Sequence, residues 1–159
     1  VLSLSSGHPA GPTFVGMQYF VGTFDGTSFT SPQTEARYFD FGKDYYAGII
    51  FNNVPNRTLM TGWINNWTYA NDIPTAPWRG AMSLPRKLTL RKEAEDRYHL
   101  YQQPLEEAQQ LRGAEIRNLS DFTGGSVELE LTWSGGEGSI LELFSNGNEK
   151  TVIGMEGNR

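Results

Sequence analysis

The sequence contains no cysteine, no cluster of lysine and arginine, and no long apolar run. Without cysteine the chain cannot form disulfides, thiolate nucleophiles or sulfur-ligated metal sites. A net charge of −5 with no basic cluster argues against a nucleic-acid or membrane-surface partner. No segment approaches the roughly 20 apolar residues that a membrane-spanning helix needs. We therefore predict neutral partners, with no nucleic acid and no membrane among them.

Signals for metal or cofactor chemistry are also lacking. The two histidines, His8 and His99, are far apart in the sequence, so they do not make a metal site together. No spacing indicates a Ser/His/Asp triad. The glycine-rich segment 135–139 joins two predicted strands and opens no helix, so it does not fit a phosphate-binding loop. We predict no metal site and no cofactor.

Glycine, proline and aromatic residues are abundant instead. Eighteen glycines and eight prolines accompany 38 % hydrophobic and 13 % aromatic residues, which favours an all-β fold with many turns. Residues 18–30 predict a hairpin with a two-residue turn at Asp25-Gly26. Two further strand pairs, 45–53 with 57–67 and 86–92 with 97–104, predict a meander of the kind found in sandwiches, barrels and propeller blades.

The sequence pattern changes at residue 103. Glu106 and Glu107 lie near the start of a segment that ends at Gly113, which predicts a short helix or an extended linker. Beyond it, residues 126–133 and 139–147 alternate between apolar and polar side chains and predict strands of a second all-β unit. About 45 residues are too few for a sandwich with both faces covered, so we expect a piece of a longer polypeptide.

Residues 62–86, GWINNWTYANDIPTAPWRGAMSLPR, contain three of the four tryptophans of the chain. Together with QYFVGTFDGTSF and FDFGKDYYAGIIF, this segment resembles glycoside hydrolase family 32, the invertases, inulinases and levanases. The resemblance implies a five-bladed β-propeller followed by a β-sandwich. Residues 1–103 would then form the last part of the propeller, 104–113 the linker, and 114–159 the beginning of an incomplete sandwich.

The resemblance also implies the chemistry. Members of the family are secreted enzymes that hydrolyse β-fructofuranosyl bonds in sucrose, inulin or levan with retention. Their aspartate nucleophile, glutamate acid/base and second aspartate occupy motifs resembling NDPNG, RDP and EC, and none of these motifs occurs in this chain. We therefore expect no catalytic residue here. The expected partners are a sucrose or fructan substrate and the remaining propeller polypeptide.

Two residues are implied as substrate-binding by the resemblance, Trp67 and Tyr46. The indole of Trp67 would pack against sugar in the propeller funnel, since an indole offers flat apolar surface and an N–H donor; the alternative is that it caps the sheet edge. Strand alternation points Tyr45 and Tyr46 to opposite faces. The resemblance assigns Tyr46 to the funnel, although an ordinary strand tyrosine is an equally good interpretation.

Neighbouring residues have mainly structural interpretations. Trp63 shares a strand face with Trp67 and is a second candidate for the funnel wall. Asn65 and Asn66 suit either sugar hydroxyls or turn hydrogen bonds. Asn66 also begins a glycosylation sequon, and we predict that it stays unmodified because a glycan there would block the funnel. A different class of function stays open for the whole chain, a noncatalytic carbohydrate-binding or structural β-protein.

Overall fold

The computed structural model describes residues 1–7, 14–94, 97–118, 120, 122–134, 136–145 and 147–155. Regular structure in these ranges is almost entirely β, with one short 3-10 helix. The chain divides into two compact units, Val1–Gln110 and Leu111–Arg159. The prediction of an all-β fold is confirmed.

The first unit contains ten strands among its described residues. They are β1 (Leu2–Ser6), β2 (Gly16–Phe20), β3 (Thr23–Phe24), β4 (Phe29–Thr30), β5 (Arg37–Tyr38), β6 (Tyr46–Ile50), β7 (Thr58–Ile64), β8 (Ala81–Met82), β9 (Arg86–Ala94) and β10 (Arg97–Pro104). Strands β10, β9, β7 and β6 form an antiparallel sheet in that order, with β8 paired to β7. Strands β1, β2 and β5 form a second sheet. The predicted pairings of β6 with β7 and of β9 with β10 are confirmed.

The core of the first unit takes side chains from both of these sheets. Met17 and Tyr19 of β2 pack with Met60 of β7 and with Phe39 and Tyr45. Met60 is completely buried, and burying a side chain of that size contributes about 2 to 3 kcal/mol. The core therefore fixes β6, which carries Tyr46, and β7, which leads to Trp67, against the three-stranded sheet.

The hairpin predicted near Asp25 is present, but its turn is longer than predicted. Strands β3 and β4 pair directly, with Phe24 opposite Phe29, so four residues form the loop. The carboxylate of Asp25 accepts hydrogen bonds from the backbone N–H groups of Thr27 and Ser28, at 2.8 and 2.7 Å. A two-residue turn of the predicted type needs positive φ at both central residues, and here the Asp25 side chain stabilises a wider loop instead.

A 3-10 helix, Glu106–Leu111, follows β10. The carboxylate of Glu107 forms a 2.6 Å ion pair with Arg57, and the backbone N–H of Leu105 donates to the carbonyl of Pro85 at 3.0 Å. The short helix that was one of the two predicted alternatives is therefore confirmed. These two contacts hold the start of the 3-10 helix against the first unit.

The second unit contains one described pair of strands, β11 (Ile140–Leu143) and β12 (Thr151–Gly154), which are antiparallel. Strand β11 confirms part of the prediction for residues 139–147. The strand predicted at 126–133 is wrong, because none of these residues is in a strand. Alternation determines which side chains share a face, but a strand also needs a hydrogen-bonding neighbour, and β11 and β12 pair with each other.

Candidate functional site

Three aromatic side chains form a continuous group, the aromatic cluster of Tyr46, Trp63 and Trp67. Tyr46 begins β6 and lies opposite Trp63 of β7, and their rings meet edge to face with centroids 6.5 Å apart. The rings of Trp63 and Trp67 are 5.0 Å apart and tilted by 56°. Trp67 is 45 % exposed, so the cluster presents an open indole to its surroundings. Tyr45 is buried in the core whereas Tyr46 belongs to the aromatic cluster, which fits the prediction that the two tyrosines face opposite ways.

Trp67 lies in a turn and not at the end of a strand. Strand β7 ends at Ile64, and the side-chain oxygen of Asn66 accepts hydrogen bonds from the backbone N–H and the hydroxyl of Thr68, at 2.9 and 2.7 Å. The backbone N–H of Tyr69 donates to the Asn66 carbonyl at 3.1 Å. Such local side-chain bonds compete with a strand ladder and favour a turn, which explains why β7 stops short of Trp67.

Both asparagines before Trp67 are buried. The Nδ2 of Asn66 donates to the carbonyl oxygens of Val15 and Lys43, at 3.3 and 2.8 Å. The Oδ1 of Asn65 accepts a 2.8 Å hydrogen bond from the Asn66 backbone, while its Nδ2 is buried without a partner among the described residues. Of the two interpretations that the sequence allowed, the turn interpretation fits Asn66, because its whole amide is engaged by protein.

The loop between β7 and β8 anchors Trp63. The indole N–H of Trp63 donates to the Arg79 carbonyl at 2.8 Å, and the Arg79 guanidinium donates to the carbonyls of Thr75 and Trp78. Gly80 has φ of 70°, and a Cβ on it would lie 2.6 Å from the Trp63 Nε1. Arg79 thus holds this loop together, and Trp63 has a structural bond as well as a place in the aromatic cluster.

The acidic residues nearest to Tyr46 in the sequence hold loops. Asp44 accepts a hydrogen bond from the Tyr69 hydroxyl, and partial burial together with this bond raises the pKa of Tyr69 to about 12. Asp40 forms a 2.6 Å ion pair with Arg86. Burial by itself raises the pKa of the Asp40 carboxyl, but the Gly42 N–H and the Arg86 guanidinium outweigh burial and lower it. Neither carboxylate is arranged as a free acid or base.

Metal ligands do not gather anywhere in the described ranges. His99 lies on β10, with its Nε2 3.3 Å from the Glu93 carboxylate, and His8 lies outside the described residues. No helix of the described part of the chain is long and apolar enough to cross a membrane. Among the described residues, the site offers an indole surface and a phenol.

Comparison with known proteins gives one consistent result. The family model described as glycosyl hydrolases family 32 N-terminal domain matches residues 1–104. The chain is 42 % identical to a levanase of Bacillus subtilis, over 98 % of this chain and 26 % of the levanase. It is 38 % identical to an extracellular exo-inulinase of Aspergillus niger, over 81 % of this chain and 26 % of that enzyme. The chain thus spans about a quarter of the length of these curated relatives.

A solved structure shares the fold. The fructofuranosidase of Schwanniomyces occidentalis, determined in complex with fructosylnystose, matches with a TM-score of 0.52 and 40 % identity. The match covers 64 % of this chain and 20 % of that enzyme. Because the family model covers well over half of the residues, the chain belongs to glycosyl hydrolase family 32.

Proposed function

We propose that the protein to which this chain belongs hydrolyses β-fructofuranosyl bonds in sucrose or in fructans such as inulin and levan. Family membership supports the reaction class, and relatives named levanase and exo-inulinase support the substrate class. The solved relative bound to fructosylnystose supports a fructose-containing ligand. The observation within this chain that carries the proposal is the exposed indole of Trp67, which Trp63 connects to Tyr46.

Trp67 and Tyr46 are the proposed substrate-binding residues. An indole face packs well against the C–H groups of a sugar ring, and the ring N–H and the phenol can hydrogen-bond hydroxyls. Trp63 lies between them and contacts both rings. Covering the exposed part of Trp67 with sugar would contribute about 2 kcal/mol, which corresponds to about thirtyfold in binding.

The catalytic carboxylates are proposed to come from polypeptide other than residues 1–159. Retaining glycosidases need two carboxyl groups about 5 to 5.5 Å apart, whereas Asp40 and Asp44 are engaged by Arg86 and Tyr69. Retention itself is part of the proposal and follows from the family resemblance.

The proposed domain organisation has residues 1–103 in the final propeller segment, 104–113 in the linker and 114–159 at the start of the sandwich. The family match, which ends at residue 104, supports the first boundary. Ile49 of β6 and Met82 of β8 are 70 % and 64 % exposed. Large apolar side chains exposed on one sheet indicate a surface that other polypeptide covers, and the remaining propeller is the proposed partner.

Secretion is the proposed localisation. The Aspergillus relatives carry the name extracellular exo-inulinase, and a polymeric fructan is a substrate that cells meet outside the membrane. This part of the proposal is tested by looking for the protein in the culture medium of its own host. A cytoplasmic marker protein serves as the control for cell lysis.

The experiment measures fructose release from sucrose, inulin and levan by the complete protein, by its Trp67→Ala variant and by a Trp78→Ala control. Trp78 is 60 % exposed and lies outside the aromatic cluster. We expect kcat/KM to fall about thirtyfold for Trp67→Ala and to change less than about twofold for Trp78→Ala. Release of fructose from none of the three substrates would refute the proposal, and calorimetric binding of a fructan without hydrolysis would favour a noncatalytic sugar-binding protein.

A further inference from the structure

Asn66 uses every hydrogen-bonding position of its side-chain amide. Its Nδ2 donates to the carbonyls of Val15 and Lys43, and its Oδ1 accepts from the N–H and hydroxyl of Thr68. These partners belong to three separate stretches of chain. The side chain is almost completely buried, with 7 % of the residue exposed, so water cannot replace these bonds.

Two of the three stretches that meet at Asn66 carry the proposed substrate-binding residues. Lys43 lies in the loop that leads into β6, three residues before Tyr46. Thr68 belongs to the turn that carries Trp67. We infer that Asn66 is a positioning residue for Trp67, which sets the indole at a fixed place relative to Tyr46. This inference rests on the proposed function.

The other contacts of the turn do not position the Trp67 indole in the way that Asn66 does. Trp63 touches the Trp67 ring, but ring packing fixes a separation and does not fix which way the exposed face points. The Tyr69 hydroxyl joins the same turn to Asp44, although Tyr69 lies two residues beyond the indole. Asn66 precedes Trp67 directly, so a change in its amide bonds moves the backbone of Trp67 itself.

The chemistry of these four bonds requires an amide at position 66. A carboxylate could still accept from Thr68, but it would bring negative charge against the carbonyl oxygens of Val15 and Lys43 and supply no donor to them. The carbonyls of Val15, which is buried, and of Lys43 would then lose their partner. Asn66→Asp is therefore a nearly isosteric change that removes the bonds to Val15 and to Lys43 while it leaves the bonds within the turn.

Asn118 provides a matched control. Its Oδ1 accepts from the N–H and hydroxyl of Ser120, at 3.3 and 2.9 Å, as the Asn66 oxygen does from Thr68. Asn118 is exposed, however. Asn118→Asp makes the same chemical change at a site that keeps its local turn bonds and remains in contact with water.

The test is a double-mutant cycle in the complete protein, with sucrose as substrate. Asn66→Asp should lower kcat/KM at least tenfold in the unsubstituted background and less than about twofold in the Trp67→Ala background, because it acts through the indole. Asn118→Asp should leave kcat/KM unchanged in both. An equal loss for Asn66→Asp in the two backgrounds, or no loss in either, would overturn the inference.

A milder variant covers the case in which Asn66→Asp does not fold. Thr68→Val removes the hydroxyl that donates to the Asn66 oxygen and keeps the side-chain shape. It should lower kcat/KM a few-fold, and only where Trp67 is present. The same loss for Thr68→Val in the Trp67→Ala background would count against the inference in the same way.

A second readout does not depend on turnover. With 5-fluorotryptophan in the protein, the fluorine resonance of Trp67 can be assigned as the one that Trp67→Phe removes. Asn66→Asp or Thr68→Val should shift this resonance, and Asn118→Asp should not. If the unsubstituted protein releases no fructose, the proposed function fails while the fluorine comparison still decides the positioning role; an unshifted Trp67 resonance in both variants would refute it.

Discussion

The indole N–H of Trp63 donates a 2.8 Å hydrogen bond to the carbonyl oxygen of Arg79. This bond joins β7 to the loop that returns towards β8, and it holds the middle member of the aromatic cluster. Gly80 follows directly, and its positive φ lets the loop approach the strand closely. The site of Trp67 and Tyr46 therefore depends on a backbone contact sixteen residues away from Trp63 in the sequence.

The first prediction concerns this close approach. An alanine Cβ at position 80 would lie 2.6 Å from both the Trp63 Nε1 and the Ile64 carbonyl oxygen. Gly26 also has positive φ, at 100°, but a Cβ there meets nothing within 4 Å. Urea denaturation should show a loss of about 1 kcal/mol for Gly26→Ala from backbone strain alone, and about 2 to 4 kcal/mol for Gly80→Ala, where overpacking adds to strain. Equal losses would contradict the packing role of Gly80.

Alkaline pH should destabilise the protein through Tyr69. Partial burial and the hydrogen bond to Asp44 raise the pKa of Tyr69 to about 12 from 10.0. Because the pKa is higher in the folded state, this contribution to stability is complete below pH 10 and is lost as the pH rises towards 12. The free energy of unfolding, measured between pH 9 and pH 12, should therefore fall more steeply for the unsubstituted protein than for Tyr69→Phe. Parallel curves would show that the Tyr69 bond contributes nothing.

Acidic pH should destabilise the protein through Asp40. The Gly42 N–H and Arg86 lower the pKa of this carboxyl below its ordinary 3.8 although burial alone would raise it. The stability that Asp40 contributes is therefore present above pH 3.8 and is lost as the pH falls through the lower folded-state pKa. Asp40→Asn should be less stable near neutral pH and should lose less stability between pH 4 and pH 2. If the free energy of unfolding of Asp40→Asn fell as steeply between pH 4 and pH 2 as that of the unsubstituted protein, Asp40 would not contribute to stability.

Local patterns predicted the parts of the fold that local interactions determine. Alternation placed Tyr45 and Tyr46 on opposite faces, and turn residues separated β6 from β7 as observed. The predicted strand continued to Trp67, whereas β7 ends at Ile64. The turn bonds between Asn66 and Thr68 are local, but Asn66 also bonds to carbonyls 51 and 23 residues away, and sequence patterns do not reveal such distant acceptors. The strand predicted at 126–133 failed for a related reason, since alternation carries no information about a pairing partner.

The candidate site was likewise only partly predictable from the sequence. Trp67 and Tyr46 were selected by resemblance to the family, and only the shared strand face of Trp63 and Trp67 came from periodicity. The contacts that hold the cluster, from Trp63 to Arg79 and from Asn66 to Lys43, are long-range and use backbone carbonyls. Every residue has a backbone carbonyl, so no residue type in the sequence marks these acceptors.

The last prediction concerns the three sequons, which begin at Asn56, Asn66 and Asn118. Asn56 lies exposed in the turn between β6 and β7, and Asn118 is also exposed. A glycan is attached to the Nδ2 of asparagine and leaves it one hydrogen, whereas Asn66 donates from Nδ2 to two carbonyls in a buried site. A chain glycosylated at Asn66 would lose at least one of these bonds and could not enclose the sugar.

The difference between Asn66 and the other two sequons can be tested by expression through a eukaryotic secretory pathway. The secreted protein is deglycosylated enzymatically in heavy-oxygen water, and its peptides are analysed by mass spectrometry. The folded secreted protein should carry any glycans at Asn56 and Asn118 and none at Asn66. Burial of Asn66 gives a reason for this outcome that does not depend on a substrate funnel, so it should hold even for a protein that binds no fructan. A glycopeptide containing Asn66 in folded protein would show that its amide does not make both donor bonds, and would also remove the basis for its role in positioning Trp67.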